Sequence, residues 1–246
     1  MEPIARNWFS EKQKIHAALL RDLLIEVFKR KPKDLVFKGG TAISFFYGSN
    51  RFSADIDLSS RNMDNYALID DAIESFERTY SYKITNDWED EILQQQGFRR
   101  YVLISKYGAY DGISTTIDYS PGICILSPGK KDLSNDYAAA KIDVMQPEEI
   151  LAEKVRSIYT RQKGRDLYDL HYLSVIRKMR IGRGIIAEKM EEEPRLKGKK
   201  YSFNSFRKRV EALKPYWGDL DGILSNFTET TFDAVSNEVL EIFRNV

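Results

Sequence analysis

The sequence predicts an α/β domain with a mixed sheet, followed by an α-helical domain. Before Pro147, segments with helical spacing of apolar residues alternate with short runs rich in Tyr, Ile, Val and Thr, which are typical of strands. After Pro147 the pattern is helical, and no run reads as a convincing strand. We therefore expect two domains, residues 1–146 and 147–246.

The elements follow one another with clear local signals. Ser10 opens S-E-K-Q, a capping box that predicts the start of a helix, and Lys31-Pro32 ends its apolar pattern. A strand is expected over residues 35–38, and Gly48 follows the short helix that comes next. The remaining predictions for this half are helices over 41–47 and 64–79, and strands over 54–59, 80–86, 99–107, 113–119, 122–127 and 141–146.

The composition is that of a globular protein with balanced charge. Hydrophobic residues make up 42% and charged residues 30%, and 38 basic against 37 acidic side chains leave a net charge of +1. This balance favours no nucleic-acid or other charged partner by itself. One cysteine, Cys124, rules out an internal disulfide, and only two histidines argue against a zinc site. With no signal-like N-terminus and no membrane-length apolar run, we expect a cytoplasmic protein that does not enter a membrane.

Two glycines stand between the first strand and its helix. Lacking Cβ, Gly39 and Gly40 let backbone N–H groups approach a ligand closely, and the N-terminus of the following helix attracts phosphate. Thr41 adds a hydroxyl, and Lys38 or Arg51 could add positive charge. Lys38 could equally be a solvated strand residue, and Arg51 could simply pair with a nearby aspartate.

A pair of carboxylates follows fifteen residues after the second glycine. Asp55 and Asp57 share one face of a strand, where they repel each other unless a cation lies between them. The usual cation is Mg²⁺, for which Mn²⁺ can substitute, and such a pair can hold two ions about 4 Å apart for displacement at phosphorus. Asp118 is the best third ligand, or a base, and Asp143 is the alternative. The competing interpretations are a solvated strand edge for the pair and a turn cap for Asp118.

Together these residues resemble a known family. The motif G-G-T…R-F-S-x-D-I-D-L, from Gly39 to Leu58, is similar to that of the AbiEii nucleotidyltransferase toxins, in the DNA polymerase β-like nucleotidyltransferase superfamily. A second signature, E-K on one helix and R-D-x-x-D-L on the next, lies within residues 147–173. The resemblance implies a polymerase β-like nucleotidyltransferase domain that uses an NTP and releases pyrophosphate. It implies catalytic roles for Asp55, Asp57, Asp118, Lys154, Asp166 and Asp169, and nucleotide binding by Lys38, Gly39, Gly40, Thr41, Arg51 and Ser53.

The resemblance also implies a biological setting. It suggests a toxin that modifies the tRNA acceptor end and a separately encoded antitoxin protein. Two other functions stay open: a nucleotidyltransferase acting on a small molecule or a protein side chain, and a catalytically silent binding module. The presence of both aspartates and both glycines argues against the silent module.

The second signature has its own physical meaning. On the helix from Pro147, Lys154 falls inside the apolar stripe, where a lysine is costly unless it is paired. Asp166 and Asp169 share the inner face of the next helix, so we expect a partly buried ionic network that Arg161 could join. This network either docks the two helices or lets Lys154 reach the triphosphate. Arg165 takes part or lies on the surface.

A basic run lies further along the helical half. Residues 195–209 hold seven Lys or Arg side chains, with Tyr201, Phe203 and Phe206 between them. Such a run predicts single-stranded RNA binding through phosphate contacts and base stacking. The alternative is a solvated helix face.

Overall fold

A computed structural model describes residues 8–80, 83–85, 97–107, 110–122, 124–244 and 246. The chain divides into two compact units, Met1–Met145 and Gln146–Val246. The first unit is α/β and the second is helical, so each is described by itself. Within the described residues, no helix is both long enough and apolar enough to cross a membrane.

The first unit is built on a mixed sheet of seven strands in the order β3-β4-β5-β2-β1-β7-β6. Strand β2 pairs with β5, and β1 with β7, in parallel, while the other neighbours are antiparallel. The predicted fold class is therefore confirmed. In chain order the elements are α1 (Glu11–Phe28), β1 (Val36–Lys38), α2 (Gly39–Phe46), β2 (Asp55–Ser59), α3 (Asn65–Tyr80), β3 (Lys83–Thr85), β4 (Arg99–Tyr107), β5 (Tyr110–Ser120), β6 (Gly129–Ser134) and β7 (Ala139–Val144).

Local signals placed most of these elements correctly. Ser10 caps α1 as predicted: its hydroxyl accepts from the Gln13 backbone N–H, and the Gln13 side chain accepts from the Ser10 N–H. The α1 residues at helical spacing, such as Leu20 and Leu24, are fully buried. The strand predicted over 99–107 matches β4, and the helix predicted over 64–79 matches α3 within one residue.

One predicted strand is wrong. Described residues 124–127 form no strand, and the next strand begins only at Gly129. Pro121 and Pro128 flank this segment, and proline lacks the N–H that a strand ladder needs. The polar strand β6 is held instead by its antiparallel pairing with β7. Of the strand predicted over 80–86, only β3 is found, and residues 81, 82 and 86 lie outside the described part.

The second unit consists of helices. Pro147 occupies the first turn of α4, where its missing N–H costs nothing. The described residues of this unit include no extended strand, as predicted. Its elements are α4 (Pro147–Thr160), α5 (Gly164–His171), a π-helical turn (Tyr172–Ile176), α6 (Arg183–Glu191), α7 (Phe203–Glu211), 3₁₀ turns (Lys214–Leu220 and Phe227–Glu229) and α8 (Phe232–Phe243).

A buried ion-pair cluster joins α4 to α6. The Lys189 ammonium lies 2.8 Å from a carboxylate oxygen of Glu149 and 3.2 Å from one of Glu192. Glu149 and Lys189 are almost completely buried. Burial by itself would lower the pKa of Lys189, but the surrounding glutamates outweigh it and raise that pKa. The lysine therefore stays charged, and the cluster fixes the position of α4 against α6.

A buried histidine packs α1 against the sheet. His16 Nε2 lies 2.7 Å from the Thr115 hydroxyl of β5. Burial lowers the pKa of His16 to about 4, although nearby Asp55 acts in the opposite direction. The imidazole is therefore neutral at neutral pH.

This lowered pKa predicts a pH-dependent loss of stability. Above about pH 6.5 the imidazole is neutral in both folded and unfolded chains, so stability is unaffected. As the pH falls from about 6.5 to 4, the unfolded chain takes up the proton first, and the free energy of unfolding should fall by up to about 3 kcal/mol. Urea unfolding across this range should show a smaller loss for His16→Gln than for the wild type. Parallel pH profiles would mean that another group causes the loss.

Candidate active site

Four charged side chains form one row across four neighbouring strands. Lys38 of β1 is in register with Asp57 of β2, and Asp57 is in register with Asp118 of β5. Asp118 is in turn in register with Arg100 of β4. Register partners place their side chains on the same face of a sheet. Two carboxylates therefore occupy the middle of the row, with a basic side chain on each side.

A third carboxylate lies on the same face. Asp55 precedes Asp57 by two residues on β2, and the intervening Ile56 is fully buried on the other face. Asp143 does not share this position, because β1 separates its strand β7 from β2. Its carboxylate lies 2.7 Å from the Lys130 ammonium of β6. Asp118 therefore lies beside Asp57 in the sheet, and Asp143 does not.

The two glycines make room for side chains of the protein itself. Gly39 has a φ of +77°, and a Cβ there would lie 1.9 Å from Asp57 Oδ2. A Cβ on Gly40 would lie 2.3 Å from Arg51 Nη2 and 2.9 Å from the Ser53 hydroxyl. Any larger residue at these positions would displace these groups. The glycines therefore bring the Asp57 carboxylate directly against the start of α2.

Thr41 and Arg51 are buried beside these glycines. The Thr41 side chain is fully buried, and its hydroxyl donates to the backbone carbonyl of Asp55. The Thr41 hydroxyl therefore ties α2 to β2, and contact of Thr41 with the triphosphate stays a prediction. Arg51 is only 2% exposed, and its Nη1 donates to the Phe52 carbonyl at 3.0 Å. Both buried side chains stabilise the turn by donating hydrogen bonds to backbone carbonyls.

The start of α2 has the features of an anion site. The helix has eight residues, and Lys38 precedes it in an extended conformation without a side-chain cap. Uncapped N–H groups at a helix N-terminus carry partial positive charge and bind phosphate oxygens. Because Asp57 lies against Gly39, a cation held by Asp57 would be next to this N-terminus.

Arg100 is a site residue that the sequence analysis did not identify. Its Nε donates to Asp118 Oδ1 at 2.6 Å and its Nη2 donates to Asp118 Oδ2 at 2.9 Å. Asp118, and more weakly Asp55 and Asp57, raise the pKa of Arg100. The basic pair in R-R-Y-V was visible in the sequence, but its register with Asp118 was not.

The residues fit a divalent cation in part. Three aspartates on one face supply the oxygen ligands that Mg²⁺ prefers. Across the ranges that the structure describes, however, no three His, Cys, Asp or Glu side chains stand close enough together to hold an ion. Arg100 engages both oxygens of Asp118 and would compete with a cation for this carboxylate, although each oxygen keeps a second lone pair.

The second unit contains the predicted ionic network. Lys154 Nζ lies 3.0 Å from Asp166 Oδ1 and 2.7 Å from Asp169 Oδ2, and all three side chains are buried. Arg161 donates to both oxygens of Asp166, at 2.7 and 2.8 Å. Burial alone would raise the pKa of Asp166, but Lys154 and Arg161 outweigh it and hold the pKa of that carboxyl well below its usual range. The network joins α4 to α5, and Arg165 beside it is half-buried.

Of the three aromatic residues of the basic run, Phe206 belongs to the core, and Tyr201 and Phe203 are half-buried. Phe206 is fully buried, and its ring packs against Tyr159 and Phe243. The Tyr201 hydroxyl donates to the Phe243 carbonyl at 3.2 Å. Base stacking on Phe206 is therefore excluded, which corrects that part of the RNA prediction. All seven basic side chains of residues 195–209 are exposed.

These features define a nucleotidyltransferase: a mixed sheet with aspartates on one face, beside a glycine-started helix. The chain belongs to the AbiEii family, described as "Nucleotidyl transferase AbiEii toxin, Type IV TA system", whose profile matches residues 18–236. No curated protein matches the chain.

Solved structures share the fold at low sequence identity. JHP933 from Helicobacter pylori is 18% identical and superposes with a TM-score of 0.56, covering 96% of this chain and 94% of the other. MenT4, the nucleotidyltransferase toxin Rv2826c from Mycobacterium tuberculosis, is 13% identical with a TM-score of 0.53, covering 96% and 95%. At these identities the likeness concerns the fold alone.

The close contact at Gly39 predicts a severe effect of one methyl group. Gly39→Ala should displace the Asp57 carboxylate and abolish nucleotidyl transfer, because its Cβ would overlap Asp57 Oδ2. Gly112→Ala is the matched control, since Gly112 has a similar φ of +71° but open space around it. The control should lose only about 1–2 kcal/mol of stability through backbone strain. The measurements are the initial rate and the free energy of unfolding of each variant. An equal loss of activity in Gly39→Ala and Gly112→Ala would contradict the argument that a Cβ at Gly39 displaces Asp57.

Proposed function

We propose that the first unit transfers a nucleoside monophosphate from a metal-bound NTP to an acceptor hydroxyl. The observation that carries this proposal is the register of Asp57 with Asp118 next to the uncapped start of α2. Asp55, Asp57 and Asp118 would hold Mg²⁺, or Mn²⁺ in its place, and the ion would neutralise charge on the phosphates. The N–H groups at the start of α2 would bind the triphosphate.

The reaction is an in-line displacement at the α-phosphorus. The acceptor oxygen forms a bond to this phosphorus, the bond to the β-phosphate oxygen breaks, and pyrophosphate leaves with that electron pair. The hydroxyl proton must pass to a base, a second role open to Asp118. Lys38 lies beside Asp57 in the row, where its positive charge favours phosphate oxygens.

For the second unit we propose the role in nucleotide binding that the resemblance implies for Lys154, with Asp166 and Asp169 orienting its ammonium group. A buried ionic network is often no more stabilising than apolar packing of equal volume. Docking two helices therefore does not require one. This supports a functional reason for keeping Lys154 between two acids.

The acceptor that we favour is RNA, specifically the tRNA acceptor end that the resemblance implies. The exposed basic side chains of residues 195–209 support this, because phosphate contacts supply most of the affinity for nucleic acids. A small molecule or a protein side chain remains the second candidate. As a member of a type IV toxin family, the chain would act in the cytoplasm and be counteracted by a separate antitoxin protein.

The metal site predicts a specific loss of activity. Asp57→Asn should reduce nucleotidyl transfer at least about a hundredfold while leaving the melting temperature close to that of the wild type. Asp118→Asn should also reduce it strongly. Asp143→Asn is the matched control on the neighbouring strand pair and should remain active. If Asp143→Asn were inactive and Asp118→Asn active, the third carboxylate would be Asp143.

The basic surface predicts salt-dependent RNA binding. Changing Lys199, Lys200, Arg207 and Arg209 to Ser should weaken tRNA binding and flatten its dependence on salt, because each neutralised phosphate releases counterions. Phe206→Ala should instead destabilise the second unit by about 3–5 kcal/mol, as expected of a buried aromatic residue. Binding measured at several salt concentrations gives the slopes. Identical slopes for wild type and fourfold variant would show that the RNA binds elsewhere.

A further inference from the structure

Arg100 occupies the carboxylate that the proposed metal site needs. Its guanidinium forms two parallel hydrogen bonds with the Asp118 carboxylate, one to each oxygen. This fork geometry is the one that guanidinium adopts with carboxylates and with phosphates. Arg100 therefore has two possible anionic partners in a site that binds a triphosphate.

The pair is exposed enough to open. The Arg100 side chain is 52% exposed and the Asp118 side chain 34%. Solvent-exposed ion pairs contribute little net stability, so a divalent cation can displace one of them at low cost. The pair of Lys154 with Asp169 is different, because its side chains are 8% and 0% exposed. The ion pair of Arg100 with Asp118 can therefore exchange partners, whereas the pair of Lys154 with Asp169 is fixed.

We propose that Arg100 is a positioning residue that exchanges its partner from Asp118 to the triphosphate when the metal-bound nucleotide enters. The inference rests on the proposed function. Before binding, Arg100 neutralises Asp118 and reduces its repulsion of Asp57. If Asp118 held a divalent cation, the positive charge of the ion would repel the guanidinium. The freed guanidinium then donates to phosphate oxygens of the nucleotide.

This exchange explains two observations together. The three aspartates share one face, yet no three acidic side chains within the described residues form a metal set. Asp118 is instead paired with Arg100 of β4, which lies on the other side of β5 from β2. Arg100 is in register with Asp118, and Asp118 with Asp57, so the guanidinium is on the same face as all three carboxylates.

The test separates cation binding from nucleotide binding. Mn²⁺ alone, followed by its electron paramagnetic resonance signal, should bind Arg100→Gln about two- to fivefold more tightly than the wild type, because a competitor is removed. Inorganic tripolyphosphate with Mn²⁺, followed by calorimetry, should bind the same variant about tenfold more weakly, because a charged hydrogen-bond donor is lost. Arg100→Lys should recover part of the tripolyphosphate affinity but not the bidentate contact.

Arg99→Gln is the matched control. Arg99 is the adjacent residue on β4, but its guanidinium lies over the Tyr66 ring at 3.9 Å and 3.5 Å from Asp70. This variant removes the same charge from the opposite face of the sheet and should leave both affinities unchanged.

Three results would overturn the exchange. They are unchanged or weaker Mn²⁺ binding in Arg100→Gln, unchanged tripolyphosphate binding in that variant, or equal effects of Arg99→Gln. The proposed function is tested separately, by loss of Mn²⁺ binding in Asp57→Asn. If the wild type itself bound no Mn²⁺, both the metal site and the exchange would be wrong.

Discussion

Two carboxylates lie side by side on neighbouring parallel strands, and the basic residue on either side of them compensates their repulsion. Opposed side chains in a sheet are roughly 5 Å apart, where two like charges near a protein surface repel by about 3 kcal/mol. Lys38 and Arg100 close the row on either side of Asp57 and Asp118. Gly39 leaves the space that the Asp57 carboxylate occupies. Asp55 adds a third carboxylate on the same face, and the metal-dependent reaction that we propose would use this excess of negative charge.

The charged groups of the chain differ in how freely they can exchange partners. Lys154 and Lys189 are buried among acids in the second unit, where separating the charges would leave an uncompensated buried ion. These contacts hold α4 in one position relative to α5 and α6. The contact of Arg100 with Asp118 is solvated and can be exchanged cheaply. Burial therefore distinguishes ion pairs that are costly to separate from a pair that can exchange partners cheaply.

The family relationship identifies the class of enzyme, whereas the site residues bear on its mechanism and its acceptor. Membership of the AbiEii family establishes a nucleotidyltransferase toxin. The solved relatives show how widely the sequence can vary around this fold, since they are only 13–18% identical over nearly the whole chain. Which residues of this chain act, and on what acceptor, depends on its own side chains. The exposed basic surface and the Asp57 row are the features that experiments on this chain can address directly.

The sequence by itself determined the local features: the capping box at Ser10, the strand, Gly-Gly, helix and D-x-D order, and the helical character after Pro147. These depend on residues within one or two turns or strands, so periodicity and turn chemistry reveal them. The sequence also suggested that Lys154 would be paired with Asp166. Only the tertiary structure decided that Arg100 lies beside Asp118, that Thr41 is turned inward, that β6 replaces the strand expected over 122–127, and that Phe206 is core. Most of these depend on strand register or on packing between elements, which no local pattern encodes. The missing strand over 122–127 is different, because Pro121 and Pro128 are local signals against it.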